Sequence, residues 1–190
     1  GHVCFTPLVN KKLFPERVGI VNVEGGCATG SMAFHGAWKD VVSGTEDVAL
    51  AIGVEKIFQP DRPDMIQEIY NGGIDQFNKD EWINFYKDVG NQLGKPFEPE
   101  TKKGTIFMDT YGLQALWHMK KFGTTQRQIA IAASKNHFHG SLNENAQYQF
   151  EVSVDDVLND REISYPLTRS MCAPIGDGAA AALICSKKGL

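Results

Sequence analysis

Residues 18–31, VGIVNVEGGCATGS, change backbone period within a single turn, and that change limits the folds open to this chain. Val18, Ile20, Val21 and Val23 are β-branched and stiff at χ1, so the first half reads as a strand. Gly25 and Gly26 then permit a sharp turn. Beyond it the apolar residues Met32, Ala33, Phe34, Ala37, Trp38, Val41 and Val42 recur at helical spacing. Cys27 therefore falls in the first helical turn. There the orphan N–H groups and the positive end of the helix dipole favour a thiolate, the reactive form of cysteine. A nucleophile suits this position, and so does a small buried cysteine in a tight turn.

Ser43-Gly44 ends the helix, and residues 47–57, DVALAIGVEKI, form a continuous apolar run expected to be a buried strand. Strand, helix, strand in that order predicts a right-handed crossover and a parallel sheet, hence an α/β core. From Phe58 the composition changes: Pro60, Pro63, Gly72-Gly73, Pro96 and Pro99 punctuate a polar, aromatic-rich stretch. Helices are expected over 108–122 and 125–136, the second capped by Thr124 or Thr125, with a short one near 154–160. Residues 179–185, AAAALIC, read as a returning strand after the Gly176-Asp177-Gly178 turn. Segment 58–165 is too long for an unstructured loop and is expected to be an α-rich insertion between 1–57 and 166–190.

A chain of 190 residues, 42% of them hydrophobic, can bury a core. Its net charge of −4, without a block of Lys or Arg, argues against nucleic acid or an anionic membrane as the main partner. No apolar run approaches the roughly 20 residues of a spanning helix, and no leader is recognisable. The expected setting is cytoplasmic or matrix-like. Cys4, Cys27, Cys172 and Cys185 lack zinc-ligand spacing and read as thiols. The first residues Gly1-His2 and an end soon after a strand suggest part of a longer protein.

The segment NVEGGCATGSMA resembles the nucleophile region of the thiolase superfamily, and CATGS is similar to its sterol-carrier-protein-2-type members. Three more matches follow in the family's order: EDVALAIGVEKI, KNHFHGSLNENAQYQF and MCAPIGDGAAAALICS. The resemblance implies a thiolase-like α/β fold, of which this chain is part of the N-terminal half with an inserted α-rich loop domain. The C-terminal half is then absent. It also implies that Cys27 attacks a thioester and becomes acylated, with its N–H in an oxyanion hole. The family's catalytic histidines and second cysteine lie in the other half, and none of His2, His35, His118, His137 or His139 matches them.

By the same resemblance, Phe107, Met108, His137 and His139 are expected to contact coenzyme A or an acyl-CoA, the substrate, with no covalently bound cofactor. Core packing is the other reading of Met108, and a structural hydrogen bond that of His137 and His139. Asp109 departs from the small residue common in the family at that place. His137 and His139 lack a third ligand at metal-site spacing, so no metal is expected. Cys172-x-Pro174 resembles a family CxP and reads as packing or as a lining of the acyl pocket; Asn136 reads as a helix-end residue, and Asp177 as a turn residue that binds local N–H groups and positions backbone. The implied activity is a thiolase-type acyl transfer that forms or cleaves a C–C bond in a 3-ketoacyl-CoA. Alternatives are a thiolase-like retro-aldolase working with a small accessory protein, or a non-catalytic CoA-thioester-binding scaffold. The family resemblance also implies a homodimer, and a peroxisomal or mitochondrial matrix setting if the source is eukaryotic.

Overall fold

The computed structural model describes residues 8–14, 18–99 and 106–190, and Cys4 lies outside them. Two units divide the chain: Gly1–Pro60 with Gly176–Leu190, and Asp61–Ile175.

In the first unit, a 3-10 turn, Gly26–Ala28, runs into helix α1, Thr29–Val42. Strand β1, Val48–Glu55, follows, and its partner β4, Gly178–Cys185, comes from the end of the chain. The pair is antiparallel and in unbroken register from Val48 opposite Cys185 to Glu55 opposite Gly178. This corrects the expected parallel sheet. Residues 18–24 enter no ladder, so the crossover rule has no first strand on which to act among the described residues. The expected burial is corrected too: within β1 only Ala51 is buried, so the apolar run announced a strand but neither its full burial nor the direction of its neighbour.

Each end of the β1–β4 pair is fastened by an aspartate. At one end Asp47 accepts from Ser186 Oγ (3.0 Å) and Lys188 Nζ (2.7 Å), while its carbonyl accepts from Ser186 N (2.9 Å). At the other, Asp177 Oδ1 accepts from Ile57 N (2.7 Å) and Phe58 N (2.8 Å), and its second oxygen pairs with Lys56. Small residues let α1 lie on the sheet, where Ala37 and Ala51 are buried. Val48, Leu50 and Val54 of β1 and Leu183 of β4 alternate onto one face and are exposed.

The second unit is mainly helical. It contains α2 (Met65–Asn71), α3 (Lys79–Leu93), α4 (Ile106–Phe122), α5 (Gln126–Ser141) and α6 (Val154–Asn159). The ribbon β2 (Glu162–Ser164) and β3 (Leu167–Thr168) and a 3-10 turn, Arg169–Met171, complete it. Among its described residues the buried apolar side chains include Ile74, Phe97, Leu113, Ala130, Val157 and Pro166. Phe97 lies against Trp82 and Tyr86 of α3, with ring centroids 6.1 and 5.5 Å away.

Capping chemistry sets two helix starts. Thr125 Oγ1 accepts from Gln128 N and Gln128 Oε1 accepts from Thr125 N, and Ser153 and Asp156 repeat this reciprocal box at α6. The expected start at Thr125 is found; the expected end near 136 is not. Helix α5 runs through Asn136 to Ser141, because NHFHG carries no proline and its polar residues leave helical geometry open.

Candidate functional site

The turn that presents Cys27 is organised by its neighbours. Gly26 has φ +58°, left-handed backbone that glycine reaches without steric cost, and it bends the extended segment into the 3-10 turn. Glu24 folds back over that bend. Its Oε1 accepts from Gly25 N (2.9 Å), Gly26 N (2.8 Å) and Thr29 Oγ1 (2.8 Å). Thr29 Oγ1 in turn accepts from Gly25 N at 2.9 Å. The Thr29 hydroxyl, then the Gly26 and Gly25 amides, hold the Glu24 carboxyl below its ordinary range. Cys27 is exposed in the middle of this turn and its sulfur is in no disulfide. An accessible sulfur at the entrance of a 14-residue helix can reach an electrophile from solvent.

The other expected residues belong to the second unit. Phe107 and Met108 sit in the first turn of α4, both half-buried. Met108 Sδ is 3.5 Å from Cys172 Sγ, which is also 3.4 Å from the Thr168 carbonyl. Burial, and then the charge of Asp160, push the Cys172 thiol up. His137 is half-buried, with Nε2 3.1 Å from the Ser170 carbonyl and its ring against those of Tyr148 (6.1 Å) and Phe150 (5.2 Å), which also touch each other at 5.4 Å. Met108 and His137 thus converge on the segment Ser170 to Cys172. His139 does not join them. Two residues along a helix turn the side chain by about 200°, and His139 is exposed beside Phe138, 5.5 Å between centroids. Among the described residues no three His, Cys, Asp or Glu side chains gather as a metal site requires. Nor is any of their helices long and apolar enough to cross a membrane.

Sequence reasoning passed over a polar cluster beside Met108. Ser164 Oγ donates to Asp109 Oδ1 at 2.6 Å, and Lys95 Nζ donates to Ser164 Oγ and to the Tyr165 carbonyl, each at 2.6 Å. Asp109 and Ser164 are buried. One signal was present in the sequence: an aspartate at a place where a small residue was expected.

No protein-family model matches this chain. Among characterised proteins, it is 32% identical over 163 residues to an acetyl-CoA acetyltransferase of Methanothermobacter thermautotrophicus, covering 86% of this chain and 36% of that protein. It is 30% identical over 169 residues to the benzoylsuccinyl-CoA thiolase subunit BbsB of Thauera aromatica, covering 89% and 37%. Sterol carrier protein 2 of Bos taurus is 34% identical over 175 residues, covering 90% and 28%. The chain therefore spans roughly a third of the length of these relatives. Homologous over most of its own length to acetyl-CoA acetyltransferases, a thiolase subunit and sterol carrier protein 2, this chain belongs to the thiolase superfamily.

Proposed function

We propose that this protein takes part in thiolase-type acyl transfer, forming or cleaving a C–C bond in a 3-ketoacyl-CoA through an S-acyl intermediate on Cys27. The observation that carries this reading is an exposed thiol presented at a helix entrance by a left-handed glycine, in a chain whose relatives include proteins named acetyl-CoA acetyltransferase and thiolase. In the covalent step the Cys27 sulfur attacks the thioester carbonyl carbon. The bond from that carbon to the coenzyme sulfur breaks, the acyl group stays on Cys27, and the cysteine proton leaves with free coenzyme A. Phe107, Met108, His137 and His139 are assigned to coenzyme A or acyl-chain contacts, and segment 58–165 to the coenzyme-binding insertion. The protein acts as a homodimer in the cytoplasm or an organelle matrix, and a small accessory protein is a further partner to seek.

Mass spectrometry after incubation with acetyl-CoA tests the assignment. The expected result is one acetyl adduct, located at Cys27 and lost in Cys27→Ala, together with faster alkylation at Cys27 than at Cys172 or Cys185. Alkylation at Cys27 no faster than at those two overturns the nucleophile. A second reading, a CoA-thioester-binding scaffold without turnover, is favoured by the equally similar sterol carrier protein 2. It predicts saturable acyl-CoA binding with no adduct.

A further inference from the structure

We propose that Lys95, Ser164 and Asp109 form a positioning device for the first turn of α4, holding Met108 in place against Cys172; its ligand consequence rests on the assignment of Met108 to coenzyme A contact made above. The three groups form one chain of donors: the Lys95 ammonium to the Ser164 hydroxyl, and that hydroxyl to the Asp109 carboxylate, both at 2.6 Å. Ser164 is 3% exposed and Asp109 8%. The same helix comes close enough here that a Cβ on Gly112 would stand 2.8 Å from Lys95 Nζ, 3.0 Å from Ser164 Oγ and 3.1 Å from the Ser164 carbonyl. Interior hydroxyls and carboxylates are costly unless fully bonded, and apolar residues of like volume fill space at least as well. What the polar chain adds is direction. Its short bonds set the rotation and axial position of α4 against β2, where an apolar contact would allow the helix to slide or turn.

The grip has a second point on the same stretch of chain. Met108, the residue before Asp109, lies 3.5 Å from Cys172, and Ser164 and Cys172 are joined through the short β2–β3 ribbon. Thr110 Oγ1 also bonds the Phe107 carbonyl at 2.9 Å, stiffening the turn that carries both apolar residues. Releasing Asp109 from Ser164 therefore removes the bond that fixes this turn to β2, and Met108 shifts from the Cys172 thiol.

Two readouts on the full chain test this. The first is the alkylation rate of Cys172, read in a background carrying Cys4→Ser, Cys27→Ser and Cys185→Ser. Ser164→Ala and Asp109→Ala each remove one end of the buried hydrogen bond, so they should raise that rate about ten-fold or more with helical circular dichroism kept. Asp109→Asn still accepts the Ser164 hydroxyl and should restore most of the protection. If Asp109→Ala does not fold, the half-buried Lys95→Met supplies the comparison, with a smaller rise expected. An unchanged Cys172 rate in folded Ser164→Ala or Lys95→Met overturns the proposal.

The second readout is coenzyme A affinity by calorimetry, taken around a cycle of Ser164→Ala and Met108→Ala with native cysteines. Positioning predicts that Ser164→Ala weakens binding about ten-fold when Met108 is present and hardly at all when it is not. Equal losses in both backgrounds mean a merely structural role and overturn the proposal. Affinity indifferent to Met108→Ala, with Cys172 still released by Ser164→Ala, removes Met108 from the coenzyme site and leaves the positioning device standing.

Discussion

Glu24 shows how much one side chain does at the entrance to α1. Three donors converge on its Oε1, so the ionised form is favoured in the folded turn and its carboxyl lies below the ordinary range. A lowered carboxyl contributes stability that is complete above its unfolded value and lost as pH falls through the folded one. Glu24→Gln should therefore lower the melting temperature at neutral pH and narrow its gap to the native protein as pH drops below 4, read by thermal unfolding across pH. A gap of constant width would mean that the charge on Glu24 is irrelevant to the turn. The position of Cys27 was legible beforehand, because β-branched residues, paired glycines and a helical stripe follow one another in sequence. The folded-back carboxylate was not legible. Nothing in a single glutamate says that it will turn and receive the amides of the next two residues.

At the level of elements, local chemistry set the helix starts and long-range chemistry set the sheet. Thr125 caps α5 through the reciprocal box with Gln128, so Thr125→Ala should cost about 1 kcal/mol of unfolding free energy in urea titrations followed by circular dichroism. The cap was read in the sequence as a hydroxyl before an apolar period. Asp177 fastens β4 to the end of β1, across an interval of 120 residues from Ile57. The hydrogen bond from Lys56, then the Phe58 and Ile57 amides, bring its carboxyl down to about 2. The stability it supplies is present above about pH 4, its unfolded range, and is lost progressively as pH falls toward 2. Asp177→Asn should melt lower than the native chain at pH 6 and approach it at pH 2; parallel melting curves at both values would rule out the staple. The Gly-Asp-Gly turn announced a backbone-binding aspartate, but the expected local amides give way to those of Ile57 and Phe58, which lie far away in sequence and could not be read. The antiparallel pairing of β1 and β4 was hidden for the same reason.

On the scale of the molecule, the first unit leaves one face of its two-stranded sheet apolar and open. Leu183 is 66% exposed, and Val48, Leu50 and Val54 of β1 accompany it. Sheet faces of this kind are ordinarily covered, and large exposed apolar patches mark association surfaces. Under the proposed homodimer, the chain should sediment above its 21.0 kDa monomer mass at micromolar concentration. Leu50→Glu with Leu183→Glu should return it to the monomer. A monomeric native chain at such concentrations would remove the dimer from the proposal.

The sequence by itself determined what depends on neighbours along the chain: the glycine turn that presents Cys27, the cap at Thr125, the apolar runs of β1 and β4, and the ordered motifs shared with thiolases. These rest on backbone sterics, short-range hydrogen bonds and periodicity, which act over a few residues. Tertiary structure alone decided that β1 runs antiparallel to β4, that residues 18–24 enter no ladder among the described residues, that His137 turns to Ser170 while His139 faces away, and that Asp109 is buried on Ser164 and Lys95. Each of those outcomes depends on which distant groups become neighbours, and a polar side chain settles where the fold brings it a partner.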